Sequence, residues 1–259
     1  MSENGKTQQG ALAGRKALVT GGASGIGAAI ALGMAQAGAD VAITCRKRGP
    51  GDLGERIEAE GGRFHAANCD LSELDAAAAE ALVTEVAGAL GGIDILVNNA
   101  GVIRREPAAT HSEADWREVL SVGLDAPFFL AQAAGRRMAE QGSGRIINMG
   151  SVLSFQGGIN VPSYSASKGA IGQLVKALAN EWANKGINVN AIAPGYVRTD
   201  NTQALQDDPA RSETILERIP AGRWGEPDDF AGPVVFLASA ASAYVNGTIV
   251  TVDGGWMGR

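Results

Sequence analysis

Tyr164 and Lys168 stand four residues apart in Tyr164-Ser165-Ala166-Ser167-Lys168. On a helix that spacing puts both side chains on one face. A phenol with an ordinary pKa of ~10 is a poor acid–base at neutral pH. A neighbouring ammonium favours the phenolate and brings the proton toward working range. Thirteen residues before the tyrosine, Ser151 follows the apolar run at 145–149. Its hydroxyl could bond an oxygen whose charge changes during reaction. A proton donor, a cation and an oxygen-binding hydroxyl suit the interconversion of a ketone and an alcohol. Something else must carry the hydride.

A second constellation points to the carrier. Thr20-Gly21-Gly22-Ala23-Ser24-Gly25-Ile26-Gly27 follows an apolar run at 16–20 and opens a helix predicted over 24–37. Glycines there let the backbone turn sharply and approach a pyrophosphate, which then meets free N–H groups at the positive end of the helix. Gly21, Ser24, Gly25, Ile26 and Gly27 are therefore candidate dinucleotide contacts. The next strand, 41–45, ends in Cys45 and then Arg46-Lys47-Arg48. Dinucleotide folds read the adenosine ribose at this strand end, and a carboxylate there would bond the 2′-hydroxyl. Three bases suit a 2′-phosphate instead. NADP(H) is expected to be preferred, with NAD(H) possible, and Arg46 is the expected contact. Asp70, after a strand at 63–67, is placed to accept from the adenine amino group.

Short apolar runs at 16–20, 41–45, 63–67, 93–97, 145–149, 187–191 and 247–252 alternate with helical patterns at 24–37 and 163–184. Two S-x-x-D capping patterns add helices, one beginning near Ser72 with Asp75, the other at 111–115 and running to about 138. Strand–helix–strand units of this length require a parallel sheet with helices on both faces. The expected class is α/β: a single Rossmann-type doubly wound domain with a mostly parallel seven-stranded sheet. A polar N-terminal tail is expected over 1–13 and the catalytic domain over 14–259. Within the Gly-, Pro-, Asn- and Asp-rich stretch 194–225, a substrate lid is expected around 195–225.

Composition narrows the class. The 259 residues carry a net charge of −6 and no basic cluster beyond Arg46-Lys47-Arg48, which argues against nucleic acid as a partner. The two cysteines form no C-x-x-C pair and no metal-ligand spacing, so neither a disulfide framework nor a metal site is expected. The polar first ten residues lack the apolar core of a secretory leader. Residues 17–39 are uncharged and long enough to span a bilayer, yet they hold six glycines and read as strand, turn and helix. A cytoplasmic enzyme without a membrane segment is expected.

These motifs occur in a recognisable order. Thr20–Gly27 has the form T-G-x-x-x-G-x-G, Asn98–Gly101 reads N-N-A-G, Ser151 precedes Tyr164 and Lys168, and Pro194-Gly195 follows the sixth strand. Over nearly its whole length the chain resembles the short-chain dehydrogenase/reductase family. The stretches IRRE (103–106), SFQGGINVPSY (154–164), NAIAPGY (190–196), RIPAGRWG (218–225) and VDGGW (252–256) are similar to its sugar-acid dehydrogenases. The resemblance implies that Ser151, Tyr164 and Lys168 are catalytic. It adds Leu71, Asn98, Ala100 and Gly101 to the cofactor contacts, then Pro194, Gly195, Val197 and Thr199, with Tyr164 and Lys168 shared. It also implies a homotetramer. In the family an asparagine in the preceding long helix completes the catalytic set and holds a water that links the lysine to solvent. Gly123 takes that place here, and glycine has no side chain to hold the water.

For the substrate, Arg104 and Arg105 follow the N-N-A-G turn and could pair with a carboxylate bidentately. Gln156 and Asn160 could bond hydroxyls, whereas His65 and His111 read as structural. The expected reaction is hydride transfer between NADP(H) and a secondary alcohol or ketone of a small polyhydroxy acid. Two alternatives stay open. One is a reductase of another carbonyl, a 3-oxoacyl thioester or a bulky ketone, although an acyl-carrier partner would want a basic patch larger than two arginines. The other is a low-turnover dinucleotide-binding sensor or scaffold, suggested by Gly123 and opposed by the intact Ser151, Tyr164 and Lys168.

Overall fold

The computed structural model describes residues 10–46 and 49–259. Seven strands form one sheet in the order β3-β2-β1-β4-β5-β6-β7. They are β1 (Lys16–Val19), β2 (Asp40–Cys45), β3 (Phe64–Asn68), β4 (Ile95–Asn98), β5 (Gly144–Met149), β6 (Ile187–Pro194) and β7 (Ile249–Val252). Every neighbouring pair is parallel. The chain order reverses between β1 and β4, so a crevice opens beyond the carboxyl ends of those strands. The doubly wound α/β class expected from the alternation is the fold observed.

Alternate residues of each strand feed opposite layers. Leu18, Leu96, Ile146 and Val189 face one layer, packed under α3 (Ala76–Leu90), α5 (Ala126–Gln141) and α6 (Pro162–Trp182). Ala17, Val19, Val97 and Ile147 face the other, under α1 (Gly25–Gln36) and α9 (Ala231–Ala238). Both faces of the central strands are covered, which is why they read as unbroken apolar runs and not as alternating ones. No helix among the described residues is long and apolar enough to cross a membrane. The uncharged stretch 17–39 is β1, the glycine turn and α1.

Local details differ from the sequence expectations. The helix expected from Ser72 starts at Ala76. Asp75 is its cap, accepting from the Ala78 N–H at 2.7 Å, while the Ser72 hydroxyl turns back to Asp70. The long helix after Ser112 is two helices, α4 (Glu113–Leu120) and α5, joined by a single π-helical turn at Ser121–Asp125. The expected tail boundary at residue 13 falls inside the fold. Leu12 is fully buried and its N–H reaches the Ala37 carbonyl.

The stretch expected to form a lid contains regular structure: a short helix α7 (Gln203–Gln206) and α8 (Pro209–Arg218). Ile215, Ile219 and Trp224 from it pack with Val152 and Trp256 in a third, smaller core. That anchors the stretch beside the crevice. A further helix, α2 (Leu53–Ala59), lies between β2 and β3, where none was expected.

Candidate active site

The crevice is a cleft of about 430 Å³, within the usual range for ligand sites. Its base is the turn between β1 and α1. Gly21 adopts a left-handed φ of +63°, a conformation that costs glycine little. Its N–H donates to the Thr44 hydroxyl on β2 (3.0 Å). On the other side, Asn99 Nδ2 donates to the Thr20 and Gly21 carbonyls at 2.9 and 3.3 Å. The Thr20 hydroxyl accepts from the Asn99 and Ala100 N–H groups, both at 3.0 Å. The turn is thus stitched to both neighbouring strands. Gly21, Ser24, Gly25, Ile26 and Gly27 all line the cleft.

Ser24 precedes α1 without spending its side chain on a cap, and the first turn carries no acid. The N–H groups of that turn therefore face the cleft at the positive end of the helix dipole. A pyrophosphate fits this cradle.

At the opposite end Thr44, Cys45, Arg46, Cys69, Asp70 and Leu71 line the wall. Arg46 is about half exposed, with Nη1 3.3 Å from Asp70 Oδ2. The Ser72 hydroxyl and N–H, then Arg46, hold the Asp70 carboxyl below the usual carboxylate range. Arg46 is loosely held and exposed enough to meet an incoming phosphate. The neighbouring bases Lys47 and Arg48 lie outside the described residues.

The reacting end lies across the crevice. Ser151 caps a short 3-10 turn after β5, accepting from the Leu153 N–H at 3.1 Å, and its hydroxyl also bonds the Tyr164 phenol. Pro162 opens α6, Tyr164 sits in its first turn and Lys168 one turn later. Lys168 is buried, donates to the Met149 carbonyl at 2.6 Å, and lies 5.5 Å from the centre of the Tyr164 ring. Burial pulls its ammonium down to about 8. Burial also pushes the Tyr164 phenol up, opposed only in part by the Ser151 bond and the positive charge of Arg105. In the chain by itself, burial outweighs the Ser151 bond and the Arg105 charge, and Lys168 uses one of its donors to anchor on Met149.

Further lining comes from Asn99, Ala100, Gly101 and Val102 after β4, from Met149 and Gly150 at the end of β5, and from residues within 194–202. Pro194, Gly195, Val197 and Thr199 are all among the last, joined by Asn201 and Thr202. Asn98 is not in the lining. It is buried, and its Nδ2 donates to the Pro127 carbonyl (3.2 Å) and to Asn148 Oδ1 (3.0 Å). As the last residue of β4 it points into a helix layer, and Asn99 takes the position facing the glycine turn. Strand alternation was the signal that could have separated the two asparagines.

The substrate candidates fare differently from one another. Arg104 is bound by two carboxylates, Asp115 (3.2 Å) and Glu118 (2.6 Å), so it has no free charge to offer an acid. Arg105 lies outside the lining; it donates to the Asn201 carbonyl at 3.1 Å and is a cation whose field reaches Tyr164. Gln156 and Asn160 do not line the cleft. Asn160 is exposed, in a left-handed turn (φ +59°), with its carbonyl accepting from the Glu106 N–H. Glu118 and Val122, which no motif singled out, face the cleft from α4 and the π-helical turn. Gly123 is buried one residue on, outside the lining, and a Cβ there would lie 3.0 Å from Ser167 Oγ.

Comparison with known proteins agrees with this geometry. A family model described as enoyl-(acyl carrier protein) reductase matches residues 21–257. The chain is 56% identical over 251 residues to the 2-dehydro-3-deoxy-D-gluconate 5-dehydrogenase of Pseudoalteromonas atlantica, covering 96% of this chain and 98% of that protein. It is 51% identical over 249 residues to the Escherichia coli protein of the same name, covering 96% and 97%. A solved structure of gluconate 5-dehydrogenase from Burkholderia cenocepacia, in complex with NADP and tartrate, is 41% identical. It has a TM-score of 0.91 and covers 98% of this chain and 99% of that one. A structure from Agrobacterium tumefaciens with bound NADP is 53% identical, with a TM-score of 0.89 and coverage of 96% and 98%. With a glycine turn at a helix start, and serine, tyrosine and lysine gathered across the same crevice, the chain belongs to the short-chain dehydrogenase/reductase family.

Proposed function

We propose that this protein interconverts a secondary alcohol and a ketone on a small polyhydroxy acid, using NADP(H). The observation that carries the proposal is the sharing of one cleft by the anion cradle, Arg46 and the Ser151–Tyr164–Lys168 group. The dinucleotide supplies the hydride, and in its oxidised form a positive nicotinamide. The chain's own residues do the rest. Ser151 holds the substrate oxygen, Tyr164 gives or takes its proton, and Lys168, anchored on Met149, keeps a cation beside the phenol. Because burial raises the phenol's pKa, a second cation near the ring is needed to favour the phenolate.

Relatives that act on sugar acids support the substrate class, and Arg105 is the group proposed to meet the carboxylate. The acyl-thioester alternative is less favoured, because Arg104 is neutralised by its acids and leaves Arg105, bonded beside the cleft to the Asn201 carbonyl. The test is NADPH and NADH oxidation against keto sugar acids, simple ketones and a 3-oxoacyl thioester. The highest kcat/KM is expected for a keto sugar acid with NADPH. Preference for the thioester would overturn the proposal.

Cofactor choice has its own test. Arg46→Leu is expected to weaken NADPH binding by about 1.5 kcal/mol, the low end for a charged hydrogen bond because the side chain is half exposed. NADH affinity should be unchanged, as read by fluorescence titration of both. Equal losses would make Arg46 a solvated neighbour.

The proton relay is tested at Gly123. Asparagine there is expected to raise kcat up to about tenfold, part of what positioned proton transfer can supply, with NADPH affinity unchanged. The stability gain expected from replacing a helical glycine is offset, because Ser167 must shift a few tenths of an ångström to admit the Cβ. A folded variant with unchanged or lower kcat would mean that the proton leaves by another route.

A homotetramer working in the cytoplasm completes the proposal. Phe128 on α5, Phe236 on α9 and the fully exposed Tyr244 are large side chains open to solvent, and β7 is an edge strand with partly covered faces. Light scattering at micromolar concentration should give a mass several times that of the 26.5 kDa chain. A monomeric mass would contradict the assembly.

A further inference from the structure

Glu118 is a carboxylate in the reacting end of the cleft with no part in the proton transfer described above. It sits one helical turn before Val122, and the i, i+4 spacing turns both toward the cleft. Arg104 does not line the cleft but fixes this glutamate from behind. Its Nη2 lies 2.8 Å from Oε1 and 2.6 Å from Oε2, while Nε holds Asp115 at 3.2 Å. The arginine thus spans α4 from its first turn to its last. Its guanidinium is committed to the helix and unavailable to a ligand.

A carboxylate offers about four acceptor sites. One Arg104 nitrogen, shared between the two oxygens, leaves the others for the cleft. Arg104 offsets part of the charge of Glu118, sharing its guanidinium with Asp115, so Glu118 repels an anionic substrate less than a bare carboxylate would. Such a group has acceptor capacity and nothing to donate. It suits hydroxyl groups, which must find acceptors when they leave water. Arg105, bonded to the carbonyl of the lining residue Asn201, is the group proposed above for the acid, which leaves the hydroxyls for Glu118.

We propose that Glu118 accepts hydrogen bonds from substrate hydroxyls and so determines specificity for a polyhydroxylated chain, with Arg104 as the residue that positions it. The inference rests on the sugar-acid proposal above and assigns the group that recognises the hydroxyls. It also gives Arg104 a role other than binding the acid.

The test compares two substrates with the NADPH-saturated full-length enzyme: a keto sugar acid, and a keto acid of the same length without the distal hydroxyls. For Glu118→Ala, KM for the hydroxylated substrate should rise about tenfold or more, the loss of a hydrogen bond to a charged group. The hydroxyl-free substrate should change less than threefold, and NADPH affinity should not move. Arg104→Met should show the same selective rise, smaller in size, and Arg104→Lys should partly restore the wild-type KM. Equal losses on both substrates, or a shift in NADPH affinity, would make Glu118 a structural residue and overturn the proposal. So would a variant that keeps the wild-type preference. If the wild-type enzyme itself shows no preference for the hydroxylated acid, the sugar-acid proposal fails first and this one with it. That outcome is read on the wild type alone and is distinct from a failure confined to Glu118.

Discussion

Replacing Tyr164 with phenylalanine should lower kcat by at least about 10³-fold while leaving NADPH affinity within about twofold. The phenol is the group proposed to exchange a proton with the substrate oxygen: Ser151 bonds it and Lys168 flanks its ring. Removing a positioned acid–base forfeits roughly 10²–10⁴-fold. Here the loss should lie in the upper part of that range, because Ser151 would also lose its partner. The ring itself stays, so α6 keeps its packing and Lys168 keeps its bond to Met149. Single-turnover kinetics with NADPH, paired with fluorescence titration, separate the two effects. The pH profile adds a second readout. Burial raises the phenol's pKa, so wild-type alcohol oxidation should climb as pH rises and the phenolate fills. The phenylalanine variant should lose that climb. A variant retaining most of its kcat would remove Tyr164 from the chemistry.

Gly27→Ala should abolish measurable dinucleotide binding and lower the thermal midpoint by about 5 °C. A Cβ at this position would fall on the Gly21 carbonyl oxygen and within 2.5 Å of Asn99 Nδ2. Both neighbours are fixed, one as backbone in the turn and the other by its bond to the Thr20 carbonyl. Neither can swing away as a flexible side chain would, so the turn between β1 and α1 must move. Overpacking of a well-filled site costs about 1–3 kcal/mol, and in a chain of this size each kcal/mol shifts the midpoint by roughly 2–4 °C. The binding loss follows because the same turn presents the N–H groups of the anion cradle. Gly88→Ala is the control. That position in α3 has nothing within 4 Å of an added Cβ, so the change should leave NADPH binding intact and stabilise the helix by up to about 1 kcal/mol. Normal NADPH affinity in a folded Gly27→Ala protein would show that the phosphates sit elsewhere.

Some of this protein is legible in its sequence. The seven strands, the glycine turn and the Tyr164–Lys168 pair are local facts. Apolar runs, a backbone that needs residues without Cβ atoms, and a four-residue helical spacing are all written over a few neighbouring positions. Their parallel direction follows from the strand–helix–strand rule. Helices α2, α8 and α9 were not legible, since they are short and their apolar faces are defined by what they pack against. Nor was the π-helical turn at Ser121–Asp125, which places Gly123 against Ser167.

The sequence by itself determined most of the chemical groups in the candidate site, though not Glu118 or Val122. The tertiary structure decided what each is free to do. Arg104 looked like a receptor for an acid until Asp115 and Glu118, eleven and fourteen residues away in chain order, proved to neutralise it. Asn98 and Asn99 are adjacent and chemically identical, yet the pleat of β4 sends one into the core and the other to the glycine turn. The Tyr164 phenol is raised and not lowered, because desolvation acts through every atom that surrounds it while the helical spacing fixes only one neighbour. Charge pairing and burial are sums over everything nearby, and only the folded chain says what is nearby.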